Sequence, residues 1–391
     1  MLKALVIADD LTGAAEIAGI GLRCGLPTRL VRERPVKVEP GLTVVDTDSR
    51  TLAAADAGEK VRQFVQDVRG QAFDVVYKKT DSVMRGAVLA EVEALMFTFG
   101  RATALLVPQN PSRGRTVRGG QYTVNDVPLY ATSFSSDPQH PARTAEVLEL
   151  LGRSQRHTTS CLDPGHELPP GGGIVIGAAA SEQEVGYWSD RVTRAVLAAG
   201  GADFFQANLK RHGCTPSKQP VKELHGRVTL FVCGSASDYA RQLAARATKE
   251  GVSVCAMPDD VFREPGSPHD GQQAIERWAT SVSHALETNG RALVAIHRPP
   301  VRKSDAPHRL QSAMADVVKR VLDETKVENL LAAGGATASA VCERMNWHQF
   351  EVIGELASGV VQMRVLAPGS QRLIIKPGSY PWPDMVWKKR A

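Results

Sequence analysis

The sequence predicts an α/β protein made of two α/β domains, each with a largely parallel sheet flanked by helices. Short apolar runs rich in β-branched residues alternate with helical patterns in both halves of the chain. A polar segment interrupts this alternation after residue 205, and the alternation then restarts. Alternation of this kind is typical of βαβ units, which build parallel sheets. With 391 residues, the chain is long enough for two domains and a large core.

The elements of the first half can be placed by their periodicity. Strands are predicted at residues 2–7, 42–45, 75–77, 104–107 and 174–176, and helices at 14–22, 55–68, 88–97 and 181–199. The stretch 110–137 is rich in Gly, Arg, Asn, Thr and Pro and has no helical period, so it is predicted to be a long functional loop.

The second half repeats the pattern beyond a polar linker. We divide the chain into a first domain of residues 1–205, a linker of 206–225 and a second domain of 226–391. Strands are predicted at 228–232, 252–256, 292–296 and 329–332, and helices at 238–249, 272–286, 310–323 and 337–345. Strand-type alternation in 350–375 is expected to complete the second sheet.

Composition excludes several classes of protein. Hydrophobic residues make up 43% and charged residues 23%, as in ordinary globular proteins. The net charge of +5 mildly favours anionic ligands, and without basic runs interleaved with aromatics it predicts no nucleic-acid partner. No apolar stretch approaches the roughly 20 residues that span a bilayer, so no membrane association is expected. The first residues lead straight into a strand without a signal-peptide layout.

The six cysteines are scattered along the chain without a C-x-x-C pair. This spacing argues against a structural zinc site and against a disulfide framework. We therefore expect a reducing, cytoplasmic setting and assign no residue as a metal ligand.

Two adjacent carboxylates, Asp9 and Asp10, follow the first predicted strand directly. Ligands of open α/β sheets bind at the carboxyl ends of strands, where loops lead into helices. Two acids at such a place are suited to holding a metal or taking a proton. The structural alternative is that Asp10 or Thr12 simply caps the following helix.

A second polar cluster follows the strand predicted at 75–77. It comprises Lys78, Lys79, Asp81, Ser82 and the pair Arg85-Gly86. Lysine offers a point charge to an anion, and arginine can bind a carboxylate or phosphate with two hydrogen bonds. The alternative is that the lysines are surface charges and that Asp81 or Ser82 caps a helix. A third cluster, residues 108–120, holds Arg113, Arg115 and Arg118 among glycines and is the weaker signal.

Three glycine-containing turns follow strands of the second half. They are Gly234-Ser235, Gly334-Gly335-Ala336-Thr337 and Lys376-Pro377-Gly378. Glycine lets a phosphate approach the backbone, and a helix N-terminus attracts it. None of the three is a Walker A loop or a full G-x-G-x-x-G fingerprint, and each taken singly is also typical of a plain strand–helix joint. Three in one domain predict a bound nucleotide.

These motifs, in this order, resemble the four-carbon acid sugar kinase family. The resemblance spans nearly the whole chain and is carried by the segments 8–14, Lys79 to Gly86, Pro108 to Gly120, Gly234-Ser235, Gly334 to Ala338, Gly354-Glu355 and Lys376-x-Gly378. The family commonly has Thr and Asn where this chain has Val83 and Ala87, and its last motif lacks the Pro and Trp found here at 377–382.

The resemblance implies an N-terminal domain that binds the sugar acid and a C-terminal domain that binds ATP. It implies phosphorylation of a terminal hydroxyl of a substrate such as threonate, erythronate or an oxo-tetronate, with ATP and Mg²⁺. D-threonate is the favoured substrate and D-erythronate the next. The implied ATP contacts are Ser235, Gly334, Gly335, Ala336, Thr337 and Gly378, and the implied residues of the sugar-acid and catalytic side are Asp9, Asp10, Lys79, Asp81 and Arg85. The sequence allows a homodimer but does not require one.

We expect one of Asp9 and Asp10 to accept the proton of the attacking hydroxyl, while the other orients the substrate or, through water, Mg²⁺. Lys79 and Arg85 would bind the carboxylate and hydroxyls of the sugar acid. Two other classes stay open at this point. One is a non-catalytic sensor of an anionic metabolite, and the other is a lyase or aldolase that forms a Schiff base through Lys78 or Lys79.

Overall fold

The computed structural model describes residues 1–137, 139–217, 224–235, 238–263, 268–297, 306–367, 371–378 and 380–388. The chain divides into an N-terminal unit, Met1–Gln219, and a C-terminal unit, Pro220–Ala391. Each unit has helices packed on a largely parallel sheet, which confirms the predicted fold class. The division between the units falls within the segment 206–225 that was predicted as a linker.

The N-terminal unit contains eleven strands and six helices in its described residues. The strands are β1 (Lys3–Ala8), β2 (Thr28–Val31), β3 (Gly41–Asp46), β4 (Val75–Lys79), β5 (Thr103–Val107), β6 (Arg115–Arg118), β7 (Gln121–Val124), β8 (Val127–Pro128), β9 (Thr159–Leu162), β10 (Gly173–Gly177) and β11 (Val196–Gly200). The helices are α1 (Leu11–Arg23), α2 (Ala54–Gln66), α3 (Val88–Phe99), α4 (Val147–Leu151), α5 (Glu182–Ser189) and α6 (Ala202–Arg211).

The main sheet of this unit has the strand order β2-β3-β1-β4-β11-β5-β10-β9 and is parallel throughout. Strand β1 lies between β3 and β4, and Ala8 at its end pairs with Asp46 on one side and Lys79 on the other. Strand β1 is buried from Ala4 onward, as expected of an apolar run covered on both faces. The register therefore brings the residues that follow β1, β3 and β4 to one edge of the sheet.

Three predictions for this unit were wrong. The helix predicted at 181–199 ends at Ser189, and its last residues form the central strand β11. A short apolar run such as Val-Leu-Ala-Ala-Gly suits a buried strand as well as a helix, so its pattern alone does not decide. The segment 110–137 is not an irregular loop, because it contains the small antiparallel sheet β6-β7-β8. Residues 206–211 belong to helix α6 rather than to a linker.

The C-terminal unit contains seven strands and five helices in its described residues. The strands are β12 (Thr229–Cys233), β13 (Ser253–Ala256), β14 (Arg291–Ala295), β15 (Asn329–Ala333), β16 (Gln349–Ala357), β17 (Val360–Val365) and β18 (Arg372–Lys376). The helices are α7 (Asp238–Lys249), α8 (Asp259–Phe262), α9 (Pro268–Asn289), α10 (Ala306–Glu324) and α11 (Gly335–Arg344).

The sheet of the C-terminal unit has the order β13-β14-β12-β15-β18-β17-β16, and only the pairs that include β17 are antiparallel. Strand β15 lies between β12 and β18, with Ala333 paired to Cys233 and to Lys376. The turns that follow these three strands therefore share one edge. Across the described segments of both units, no helix is both long enough and apolar enough to cross a bilayer.

Two glycines near helix α5 give a matched test of the packing. A Cβ at Gly177, at the end of β10, would lie 2.7 Å from two ring carbons of Trp188, whose buried indole donates to the Ala178 carbonyl. We expect Gly177→Ala to lower the free energy of unfolding by about 1–3 kcal/mol, because the ring is fixed and the core overpacked. Gly186 lies within α5 with no atom near its Cβ position.

Gly186→Ala is the control, and it should raise the free energy of unfolding by up to about 1 kcal/mol through helix propensity. Urea unfolding of both variants measures the difference. Equal stabilities for the two variants would contradict the packing described here.

Candidate active site

A cluster of three carboxylates around one arginine occupies the carboxyl edge of the N-terminal sheet. Arg50 lies at its centre: its Nε is 2.7 Å from Asp9 Oδ2, and its Nη2 is 3.0 Å from Asp9 Oδ1 and 2.8 Å from Asp10 Oδ1. Its Nη1 is 3.6 Å from Asp81 Oδ2. One guanidinium therefore joins acids that follow two different strands, β1 and β4. We call these four residues the Arg50 cluster.

Backbone hydrogen bonds place Arg50 at the end of β1. The carbonyl of Asp9 accepts from the N–H groups of Ser49 and Arg50, at 2.9 and 3.1 Å. The carbonyl of Ala8 accepts from the Thr47 N–H at 2.9 Å, so the turn that follows β3 is tied to the end of β1. Sequence analysis missed Arg50, although the polar run Asp46-Thr47-Asp48-Ser49-Arg50 follows a buried strand and was itself a usable signal.

Asp10 caps helix α1, which confirms the alternative prediction that an acid here serves as a helix cap. The same residue also belongs to the Arg50 cluster. Its Oδ1 accepts from the Gly13 N–H at 2.8 Å, and its Oδ2 accepts from the Thr12 hydroxyl at 2.5 Å. The Asp10 side chain keeps 15% of its surface exposed, against 2% for Asp9 and 6% for Asp81. Asp10 is thus the most accessible carboxylate of the cluster.

Asp81 organises the turn after β4. Its Oδ1 accepts from the N–H groups of Val83 and Arg85 at 3.1 and 3.2 Å, so it is not the cap of helix α3. Its two oxygens also accept from the Arg85 guanidinium, at 2.7 and 3.1 Å. Arg85 Nη1 continues to Asp137 Oδ2 at 2.9 Å. This turn therefore fixes an arginine whose side chain remains 28% exposed.

The arginines decide the charge state of the buried acids. Burial alone would raise the pKa of Asp81, but the neighbouring Arg85 and Arg50 cations outweigh it and hold that pKa well below its usual value. Burial likewise opposes ionisation of Asp9, and Arg50 with Lys78 nevertheless lowers the Asp9 pKa. Both carboxylates are therefore ionised at neutral pH.

The two lysines of β4 are buried rather than surface charges. Lys78 is fully buried, and its Nζ lies 3.0 Å from Glu91 Oε2, 2.9 Å from the Lys79 carbonyl and 3.4 Å from the Ile7 carbonyl. Lys79 donates to the Thr80 carbonyl at 2.8 Å and approaches Glu16 Oε2 at 3.6 Å. Both ammonium groups are thus held by acceptors within the unit.

The small sheet β6-β7-β8 adds a further cation to this edge. Arg115 hydrogen-bonds the Ser82 hydroxyl, and the Tyr122 hydroxyl donates to the Ser82 carbonyl. The guanidinium groups of Arg85 and Arg115 both lie over the Phe134 ring, 5.5 and 5.6 Å from its centre. Of the three arginines predicted from 108–120, Arg115 joins the site, whereas Arg118 is exposed at the end of β6.

The glycine turns of the C-terminal unit pack against one another. The Gly234 N–H donates to Thr337 Oγ1 at 3.2 Å, and the Gly334 N–H donates to the Lys376 carbonyl at 2.9 Å. A Cβ at Gly334 would lie 3.9 Å from Gly378 Cα. Gly334 has φ +95°, a conformation that other residues rarely adopt. This backbone conformation explains the glycine at position 334, since a Cβ there would make only an ordinary contact with Gly378.

Helix α11 begins at this edge with Gly335, Ala336 and Thr337 in its first turn. Ala336 is exposed, whereas Thr337 is buried with its hydroxyl turned to Gly234. The N–H groups of a first helical turn have no partner within the helix and attract anions. The predicted residues Ser235, Gly334–Thr337 and Gly378 therefore lie at one edge of the sheet, at the ends of β12, β15 and β18.

Asp9 and Asp10 do not fit as direct ligands of Mg²⁺ in this arrangement. Both oxygens of Asp9 accept from Arg50, and both oxygens of Asp10 already accept hydrogen bonds. A divalent cation would have to displace the guanidinium from the Arg50 cluster. In the part of the chain that the structure describes, no group of three or more His, Cys, Asp or Glu could hold a metal ion.

Two family models match the chain, one in each unit. A model described as a sugar-binding N-terminal domain matches residues 4–185, and one described as a nucleotide-binding C-terminal domain matches residues 230–380. The two matches include the Arg50 cluster and the glycine turns, respectively.

Similar curated proteins cover the chain almost end to end. A D-threonate kinase of Bordetella bronchiseptica is 29% identical over 91% of this chain and 88% of its own. A D-erythronate kinase of Heliobacterium modesticaldum is 24% identical over the same shares. A 3-oxo-tetronate kinase of Methylobacterium radiotolerans is 25% identical over 96% of this chain and 95% of its own.

Solved structures share the fold. A protein of Salmonella typhimurium LT2 superposes with a TM-score of 0.79 at 19% identity, covering 97% of both chains. The Haemophilus influenzae protein HI1011 superposes with a TM-score of 0.71 at 19% identity, over 97% of this chain and 98% of its own.

Removal of the Arg50 guanidinium should destabilise the N-terminal unit strongly. Arg50→Met leaves Asp9, Asp10 and Asp81 without their shared cation, and breaking a buried pair on one side costs about 3–5 kcal/mol. The pKa values of Asp9 and Asp81 are lowered in the folded state, so the stabilisation is present above about pH 4 and is lost as pH falls. Urea unfolding at pH 7 and below pH 4 measures it, and the difference from the parent protein should shrink in acid.

Arg29→Met is the matched control. Arg29 forms an exposed ion pair with Glu39, so its removal should change the free energy of unfolding by no more than about 1 kcal/mol. An Arg50→Met protein as stable as the control would show that the cluster does not depend on this cation.

Proposed function

We propose that this chain, which belongs to the four-carbon acid sugar kinase family, transfers the γ-phosphoryl group of ATP to a terminal hydroxyl of a four-carbon acid sugar. D-threonate is the favoured substrate and D-erythronate the next. The observation that carries the proposal is the Arg50 cluster, which places the accessible carboxylate of Asp10 at an edge that also carries Arg85 and Arg115, within the part matched by the sugar-binding model. The N-terminal unit would bind the sugar acid, and the C-terminal unit would bind ATP.

Asp10 is our candidate for the general base. A base must come within hydrogen-bond reach of the hydroxyl proton, and Asp10 is the most exposed acid of the cluster. Both oxygens of Asp9 are bound to Arg50, which suits Asp9 to holding that guanidinium in place. Arg50 would keep Asp10 oriented and lower the charge repulsion that an anionic substrate meets at this edge.

The carboxylate of the sugar acid would bind to Arg85 and Arg115. Both guanidinium groups are aligned over Phe134, and Arg85 keeps more than a quarter of its side chain exposed. A planar guanidinium suits a carboxylate because it can donate two parallel hydrogen bonds. Lys79 was predicted to bind the sugar acid directly, but only 4% of its side chain is exposed. We therefore assign Lys79 to the electrostatics of the edge rather than to a direct contact.

The phosphates of ATP would bind at the first turn of α11 and the glycine turns beside it. Gly335, Ala336 and Thr337 offer backbone N–H groups there, and Gly334 and Gly378 leave room for close approach. Ser235 at the end of β12 completes the set. Mg²⁺ would enter as the counterion of ATP rather than as a ligand of Asp9 or Asp10, because Arg50 holds both carboxylates.

The Schiff-base alternative finds no support in the lysines. Such a mechanism needs a neutral amine that a carbonyl substrate can reach. Lys78 is fully buried and uses its donors on Glu91 and two carbonyls. Lys79 is held by Thr80 and Glu16.

An ADP-release assay with ATP, Mg²⁺ and a panel of four-carbon sugar acids tests the proposed function. Turnover on D-threonate or D-erythronate and not on the corresponding epimers would support the proposal and identify the substrate. Absence of turnover, combined with absence of ATP binding by calorimetry, would overturn it and leave the metabolite sensor as the better reading.

Asp10→Asn should lower kcat by about 10²–10⁴-fold, because the amide cannot accept the hydroxyl proton. The fold should be retained, since an Asn side-chain oxygen can still accept from the Gly13 N–H at the helix N-terminus. Steady-state kinetics measures kcat, and calorimetry with ATP serves as the control, with an affinity expected to match that of the parent protein. A kcat near that of the parent would rule out Asp10 as the base.

A further inference from the structure

Lys376 ends strand β18 with a fully buried side chain. Its Nζ donates to the carbonyls of Pro377 and Gly378 at 3.1 and 3.2 Å. The same ammonium lies 4.4 Å from the centre of the Tyr239 ring and 5.3 Å from that of Trp382. We call this arrangement the Lys376 cage. Its walls come from helix α7 and from the segment that follows β18.

The Lys376 cage contains no counterion among the described residues. The titratable groups that face it are the Cys233 thiol of β12 and the Tyr239 phenol of α7. Burial raises the pKa of the Cys233 thiol, and burial raises the pKa of Tyr239 to about 12. Both groups are neutral at pH 7. The ammonium is therefore balanced by carbonyl dipoles and aromatic faces alone, whereas the equally buried Lys78 has Glu91.

A buried cation without a carboxylate partner is costly, because the charge loses its hydration. Burial lowers the pKa of Lys376 to about 8. The cost is incurred at the turn that packs against Gly334, at the N-terminus of α11. An anionic ligand at this edge would compensate the positive charge of the ammonium.

We propose that Lys376 is a positioning residue for nucleotide binding: its ammonium holds the Pro377–Gly378 turn beside Gly334 and supplies positive charge that the phosphates of a nucleoside di- or triphosphate neutralise. This inference rests on the proposed function, because it takes the glycine turns as the nucleotide site. Lys376 contacts the Pro377–Gly378 turn and not the reacting atoms, so it would act by positioning that turn. The aromatic walls serve to keep the ammonium directed at the two carbonyls.

The burial of Lys376 predicts opposite pH dependences for nucleotide affinity and for the stability of the C-terminal unit. Nucleotide phosphates favour the charged ammonium, so nucleotide affinity should fall as pH rises through about 8. The folded-state pKa lies below the unfolded value, so between these values the unfolded chain binds one proton more than the folded chain. Stability of the C-terminal unit should therefore rise over this interval while nucleotide affinity falls.

Calorimetry with ADP and the full-length protein tests the inference. For the parent protein we expect ADP affinity to fall about sixfold between pH 7.5 and 9.5, which is the part of a tenfold total change that this range covers when binding raises the Lys376 pKa by about one unit. The terminal phosphate is fully ionised over this range, because its pKa lies near 6. Lys376→Met should bind ADP about tenfold more weakly at pH 7.5 and with little dependence on pH.

Lys319→Met is the control, because Lys319 is an exposed residue of α10 paired with Asp323. It should match the parent protein in ADP affinity and in pH profile. The profile of the parent protein tests the inference without any variant, so a Lys376→Met protein that failed to fold would not remove the test. A parent protein that binds ADP with an affinity independent of pH, or a Lys376→Met protein that binds like the parent, would overturn the role of Lys376. A parent protein that binds no ADP would overturn the proposed function itself.

Discussion

The contact of Arg50 with three carboxylates is the interaction on which the N-terminal site depends. Asp9, Asp10 and Asp81 meet because the ends of β1 and β4 are adjacent in the sheet. The three neighbouring carboxylates repel one another, and burial removes the water that would screen this repulsion. A guanidinium can meet this requirement because it is planar, permanently charged and carries five donors. The hydrogen bonds from the N–H groups of Ser49 and Arg50 to the Asp9 carbonyl fix the backbone position from which the Arg50 side chain extends.

Each unit places its candidate site at the carboxyl ends of its own parallel strands, but the residues at these strand ends differ between the units. In the N-terminal unit the ends of the strands carry charged side chains, which suits a small ligand with a carboxylate and several hydroxyls. In the C-terminal unit they carry glycines and the start of a helix, which suits phosphate oxygens that meet the backbone. The first edge depends on ion pairs within the protein, and the second on space and backbone dipoles. Lys376 is an exception in the second edge, since it brings a buried charge to a turn of small residues.

Sequence reasoning succeeded where the relevant signal is local. Apolar runs gave the strands that precede each site, and the acids and glycines that follow them were recognised from their position. It failed where distant pairing decides the outcome. Strand β11 resembles a helix in composition, and only its place between β4 and β5 makes it a strand. Arg50 and the burial of Lys79 likewise depend on the register of β1 with its neighbours and on which side chains that register brings into contact.

The position of β11 also bears on how the protein is made. Strand β11 is the last of the N-terminal unit to leave the ribosome, yet it lies in the middle of the sheet, between β4 and β5. Until residues 196–200 emerge, a nascent chain has two half-sheets with unpaired edges, which are prone to associate with other chains. The Gly200 carbonyl accepts from the Thr80 N–H at 3.0 Å, immediately before Asp81. The acid-bearing edge is thus completed only after residues 196–200 have been synthesised, so the N-terminal unit cannot finish folding until almost all of it has left the ribosome.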